Sequence, residues 1–146
     1  MNTKKQIKII LASGVLGFII IALPAVAATT LSLSPENINI QSGQRFNVAV
    51  NINPQEVKNY TVKVELQYPS DLIEVASFTF GTGWMALSQP GYDTIDNAGG
   101  VLIKTAGYPA GVSALINFGT VSFVAKKTGS AAIKVGSNSL ALDASN

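Results

Sequence analysis

The chain has no cysteine and no histidine among its 146 residues. The first absence excludes disulfides and thiolate metal sites. The second removes Ser-His-Asp and Cys-His catalysis, imidazole-bound zinc and the commonest general base near neutral pH. Charge is sparse as well, at 12% of residues. Beyond the first residues the only adjacent basic pair is Lys126-Lys127, so the electrostatic footprint of a nucleic-acid binder is missing. No segment after residue 27 sustains a 3.6-residue apolar period, which argues against helices there. Nothing in this inventory calls for a cofactor.

Long apolar runs are limited to one. Ile9 to Leu23 is a fifteen-residue stretch without charge, preceded by Lys4, Lys5 and Lys8 and ended by Pro24. Ala25-Val26-Ala27 then supplies the small-x-small pattern that a signal peptidase accepts before Ala28. This is the layout of a secretory signal helix cut between Ala27 and Ala28. The alternative is an uncleaved membrane anchor, but fifteen helical residues span only about 22 Å against the ~30 Å of a hydrocarbon core. The expected organisation is therefore a signal peptide over 1–27 and one domain over 28–146. That places the domain outside the cell or on its surface, with the membrane involved only through an uncleaved N-terminal segment. Losing the signal removes three of the ten basic residues, leaving seven against eight acidic and a net charge of −1 instead of +2.

What the remaining chain does contain is alternation. Tyr60, Val62, Val64, Leu66 and Tyr68 are separated by Thr61, Lys63, Glu65 and Gln67, and Pro69-Ser70-Asp71 then turns the chain. Side chains on a strand point to opposite faces at period 2, so this strand has one dry and one wet face. Arg45 to Asn53 repeats the pattern, with Phe46, Val48, Val50 and Ile52 inward and Asn47, Ala49 and Asn51 outward. After Val75 the parity shifts to Ala76, Phe78 and Phe80, which predicts a bulge. A second slip is expected at Gly119, between Phe118 and Val121. Tyr92–Asp96 and Val101–Ala106 flank Asn97-Ala98-Gly99-Gly100, a hairpin turn, and Gly107 to Ser113 reads as a loop. Turn signals every eight to twelve residues predict an all-β fold: an antiparallel two-sheet sandwich of about nine strands.

In this order of strands the sequence resembles a cohesin domain. The resemblance rests on Leu33-Ser34-Pro35 followed by Ser42-Gly43-Gln44, on Leu66-Gln67-Tyr68-Pro69-Ser70-Asp71-Leu72-Ile73-Glu74-Val75, and on Val121-Ser122-Phe123-Val124-Ala125 followed by Gly129. It covers roughly residues 30 to 143. It implies a jelly-roll sandwich related to cellulose-binding modules, and a noncatalytic role holding a calcium-loaded dockerin across one sheet face in assemblies that degrade polysaccharide. The Asn and Asp that contact dockerin in the best-known cohesins fall here at Thr61 and Lys63, which implies a diverged, dockerin-like partner.

The candidate partner surface is the wet face Thr61, Lys63, Glu65 and Gln67, extended by Asn47, Ala49 and Asn51. An alternative is a carbohydrate site, with Trp84, Tyr92 and Tyr108 forming an aromatic platform for sugar rings; a buried plug is the other role for Trp84. A structural cell-surface or adhesin-type domain is a third reading. Asp93, Asp96 and Asn97 do not have EF-hand spacing and read as turn residues. Glu65 and Glu74 fall on separate strands, so no glycosidase pair is assigned.

Overall fold

A computed structural model of the protein describes residues 28–55 and 57–145; the expected signal segment lies outside the described residues. Among the described residues every regular element is a strand. In chain order these are β1 (Thr30–Ser34), β2 (Asn37–Ile40), β3 (Arg45–Asn53), β4 (Asn59–Gln67), β5 (Ile73–Phe80) and β6 (Met85–Ala86). They continue with β7 (Asp93–Asp96), β8 (Val101–Val112), β9 (Ile116–Ala125), β10 (Gly129–Ala132), β11 (Lys134–Val135) and β12 (Leu140–Leu142).

One sheet runs β1-β3-β9-β5 and the other β11-β4-β8-β6, with β12 also on the β4 edge and β7 also on that of β8. A two-stranded ribbon, β10-β2, stands beside them. All pairings are antiparallel. The two edge strands of the larger sheet are each broken in two, which is why there are more strand segments than the nine or so expected. Between the sheets, Val48, Val50 and Ile52 of β3, Val62, Val64 and Leu66 of β4, and Phe118, Val121 and Phe123 of β9 are at most 1% exposed. Each such side chain contributes about 1.5–3 kcal/mol on burial, and together they hold the layers.

Both expected slips are β-bulges. The β5–β9 register shifts between Val75 and Ser77, leaving Ala76 outside the ladder and bringing Phe78 and Phe80 onto the inner face. In β9 the shift falls opposite Val50 and Asn51, so Phe118 is extra and both it and Val121 point inward. Gly119 is required there: a Cβ on it would lie 2.3 Å from the Phe78 ring. The expected loop over Gly107 to Ser113 is corrected, because β8 continues to Val112. Thr61 pairs with Gly107 and Asn59 with Val112, so the intervening residues bow out as a bulge rather than ending the strand. Pro109, which has no N–H to offer the ladder, sits exposed in that bulge.

Candidate functional site

The seven residues expected to share one face do not. Thr61, Lys63, Glu65 and Gln67 belong to β4 in the larger sheet, whereas Asn47, Ala49 and Asn51 belong to β3 in the four-stranded sheet. The chain crosses from one layer to the other between these strands. Both strands send their apolar rows into the same core, so their polar rows must point away from each other, to opposite sides of the sandwich.

Cα partners in an antiparallel ladder present side chains to the same face, so the register reads out each row. On the larger sheet one outward row is Leu142, Thr61, Gly107 and Met85. The next is Leu140, Lys63 and Thr105, and the Leu87 N–H extends it by donating to the Thr105 carbonyl at 2.9 Å. Met85 is 64% exposed and Leu140 41%. Between these apolar ends the floor is made of small residues, Thr61, Gly107 and Thr105, with Lys63 rising from it. Thr105 is itself buried, and its Oγ1 has no hydrogen-bond partner. Such a group costs about 1–3 kcal/mol when left unsatisfied.

Glu65 is the exception on its own row. It lies opposite Ile103 on the outward side but is only 4% exposed, because the turn between β11 and β12 folds over it. Its carboxylate accepts hydrogen bonds from Asn138 Nδ2 at 2.7 Å and Gln67 Nε2 at 3.2 Å. Its expected place on an open contact surface is therefore corrected: Glu65 is covered by its own chain. Sequence reasoning also missed Met85, Thr105 and Leu140. The Leu140-x-Leu142 alternation marked a strand, but only the pairing with β4 shows which face it completes.

The aromatic platform is not formed. Trp84 is 9% exposed; its Nε1–H donates to the Asn117 carbonyl at 3.0 Å, and its ring meets Tyr108 and Phe118 edge to face. Burial of so large a ring, with its one polar atom satisfied, outweighs exposure. Tyr108 is half-buried against it and Tyr92 is exposed, so the three rings present no common surface to a sugar.

The acidic turn residues each have a local task. Asp93 pairs with Lys104, whose ammonium reaches into the sandwich over the Phe78 ring. Asp96 Oδ1 accepts from the Ala98 and Gly99 N–H groups. Asn97 binds the Val75 backbone on both sides, accepting from its N–H at 2.7 Å and donating to its carbonyl at 3.0 Å, and so ties the β7–β8 turn to β5 across the two sheets. Tyr68 donates to the same Asn97 side chain at 2.8 Å. Burial, reinforced by Asp96 and Glu74, pushes the Tyr68 phenol up to about 12. Glu74 lies on β5, in the four-stranded sheet, opposite Val124, and Glu65 in the other sheet, so the two carboxylates face opposite sides of the sandwich.

With this geometry in hand, comparison with known proteins is informative at the level of structure. No protein-family model matches the chain, and no curated protein matches it. Solved structures do. A type I cohesin–dockerin complex from Clostridium thermocellum superposes with a TM-score of 0.60 at 15% identity, over 84% of this chain and 86% of that one. The sixth cohesin of scaffoldin B from Acetivibrio cellulolyticus, solved with a dockerin, gives 0.57 at 15% identity, over 82% and 89%. The fold is that of a cohesin domain. A cohesin module from a family 33 glycoside hydrolase of Clostridium perfringens gives 0.53 at 16% identity, over 80% and 89%. Identities this low carry the cohesin fold and not its residues, so the chemistry of any docking face has to come from the rows described above.

Proposed function

We propose that the protein is a secreted or cell-surface, noncatalytic module of jelly-roll cohesin type, which docks a dockerin-like domain of another protein on the outward face of its larger sheet. The observation that carries this reading is the joint presence, on a cohesin fold, of an outward face with exposed apolar ends, Met85 and Leu140, and a floor of small residues between them. From Leu142 to Met85 the row crosses three strand spacings, about 14 Å at ~4.8 Å each. An α-helix is ~10–12 Å across, so one helix fits between the two apolar ends over the small-residue floor. Lys63 would meet an acidic or carbonyl group of that helix. The departure of Thr61 and Lys63 from the usual Asn and Asp supports a partner that has diverged with them.

Signal cleavage before Ala28 belongs to the same reading. A link to polysaccharide would run through the partner, since Trp84 is not available for stacking.

Affinity capture of the secreted protein from its own culture, followed by identification of the bound chain, tests the proposal. A captured dockerin-like module whose binding is lost on Lys63→Glu supports it. Binding that survives both Lys63→Glu and Leu140→Asp refutes the face assignment.

A further inference from the structure

Glu65 is a buried carboxylate on a face that is otherwise open, and its surroundings say why. Along β4 two residues lie between Lys63 and Leu66, but four lie between their partners Leu140 and Val135. With two residues to spare, the segment 136 to 139 has to arch, and it arches over Glu65. The Glu65 backbone holds the arch at both ends: its carbonyl accepts from the Gly136 N–H at 2.8 Å, and its own N–H donates to Ser139 Oγ at 2.9 Å. The Glu65 side chain holds the middle through Asn138 Nδ2. Fit is close enough that a Cβ on Gly136 would stand 2.1 Å from Glu65 Oε1, so glycine is the residue that lets the carboxylate lie against the turn.

β12 follows directly. It is three residues long and pairs with β4 alone. A cavity of about 490 Å³, lined in part by Ser139, Leu140, Ala141, Leu31 and Val57, opens along it towards β1. One flank of β12 is thus not supported by packing, and the fastened turn is what fixes where the strand begins.

We propose that Glu65 is a positioning residue of the docking face: through Asn138 and Gly136 it sets the turn that places Leu140 and Leu142 on that face, and does not itself touch the partner. The functional meaning of this placement rests on the docking reading above. The placement itself is measurable without any partner.

The test is amide exchange and leucine-methyl NMR on the secreted protein and its Glu65→Ala, Glu65→Gln and Asn138→Ala variants. Loss of a charge-assisted hydrogen bond should speed exchange at Leu140–Leu142 by roughly tenfold in Glu65→Ala, relative to β3 amides. Asn138→Ala should reproduce most of this. Glu65→Gln, which keeps an acceptor for Asn138, should restore part of the protection, and the Leu140 and Leu142 methyl signals should move while that of Leu33 stays. Unchanged exchange at β12, or an equal rise in β3 and β12, overturns the proposal. Selective loosening of β12 in a protein that captures no partner upholds the positioning role and refutes the docking reading instead, so the two failures are told apart.

Discussion

The two outer faces of this sandwich are both built from antiparallel strands, yet they differ in what they leave undone. On the four-stranded sheet the central outward rows are Ser34, Ala49, Thr120 and Thr79, and beside them Asn47, Ser122 and Ser77, with Arg45, Val124 and Glu74 forming a further row at one end. In the two central rows every side chain is small and all but Ala49 are polar, so water serves them well. On the larger sheet the outward rows end in Met85 and Leu140 and contain a buried hydroxyl without a partner. Covering the first face removes water from groups that lose by it. Covering the second buries apolar surface, Met85 and Leu140 above all. Among the described residues Met85, Leu87 and Leu140 put exposed large apolar groups on the larger sheet, and this contrast is what the docking proposal rests on.

Substitutions on and between the two faces test this difference. The largest effect is expected at Trp84, which belongs to neither face and packs between the sheets. Trp84→Ala should cost about 3–5 kcal/mol and loosen both faces alike, read from the denaturation midpoint by circular dichroism. In the intact protein, polysaccharide should leave Trp84 fluorescence flat; a saturable shift would restore the sugar reading. Next in size, Lys63→Glu or Met85→Asp should weaken partner binding by about 2 kcal/mol or more without moving the denaturation midpoint. Ser122→Asp on the opposite face should leave binding unchanged and alter stability by no more than about 0.5 kcal/mol. Equal losses of binding from both faces would erase the distinction.

Asn97→Ala should destabilise by about 1–3 kcal/mol, because the Val75 backbone loses both of its bonds across the sheets. The same junction has a pH signature. Tyr68 rises from 10.0 to about 12 in the folded protein, so above pH 10 the unfolded chain gives up the proton first. Its contribution is complete below pH 10 and is lost as pH climbs through 12. Tyr68→Phe should flatten the decline in an alkaline denaturation series.

Much of the fold was legible because its signals are local. The ends of β3 follow from the alternation Phe46, Val48, Val50 and Ile52, and both bulges show as breaks in parity at Ala76 and Gly119. The loop assigned to Gly107–Ser113 failed because Gly107 and Pro109 signal a turn, whereas pairing of Asn59 with Val112 carries the strand past them. The candidate site was legible only in part. Lys63 and Thr61 were placed on an outward face correctly, but Asn47 and Asn51 were joined to them although β3 lies in the other layer. Glu65 alternates like an exposed residue, and nothing near it in sequence announces a turn 71 residues later.

The sequence alone shows which side of β3 and β4 turns to the core, because side-chain direction alternates along a strand, but not that of β8, whose Lys104 faces inward opposite Val64. It also determined the absence of thiol and imidazole chemistry, because composition needs no fold. Which wet rows lie together, which carboxylate is roofed over and where the tryptophan points were decided by the tertiary structure. Those outcomes depend on pairings between residues far apart in the chain, such as Lys63 with Leu140 and Glu65 with Asn138, and they are set by how the whole core packs.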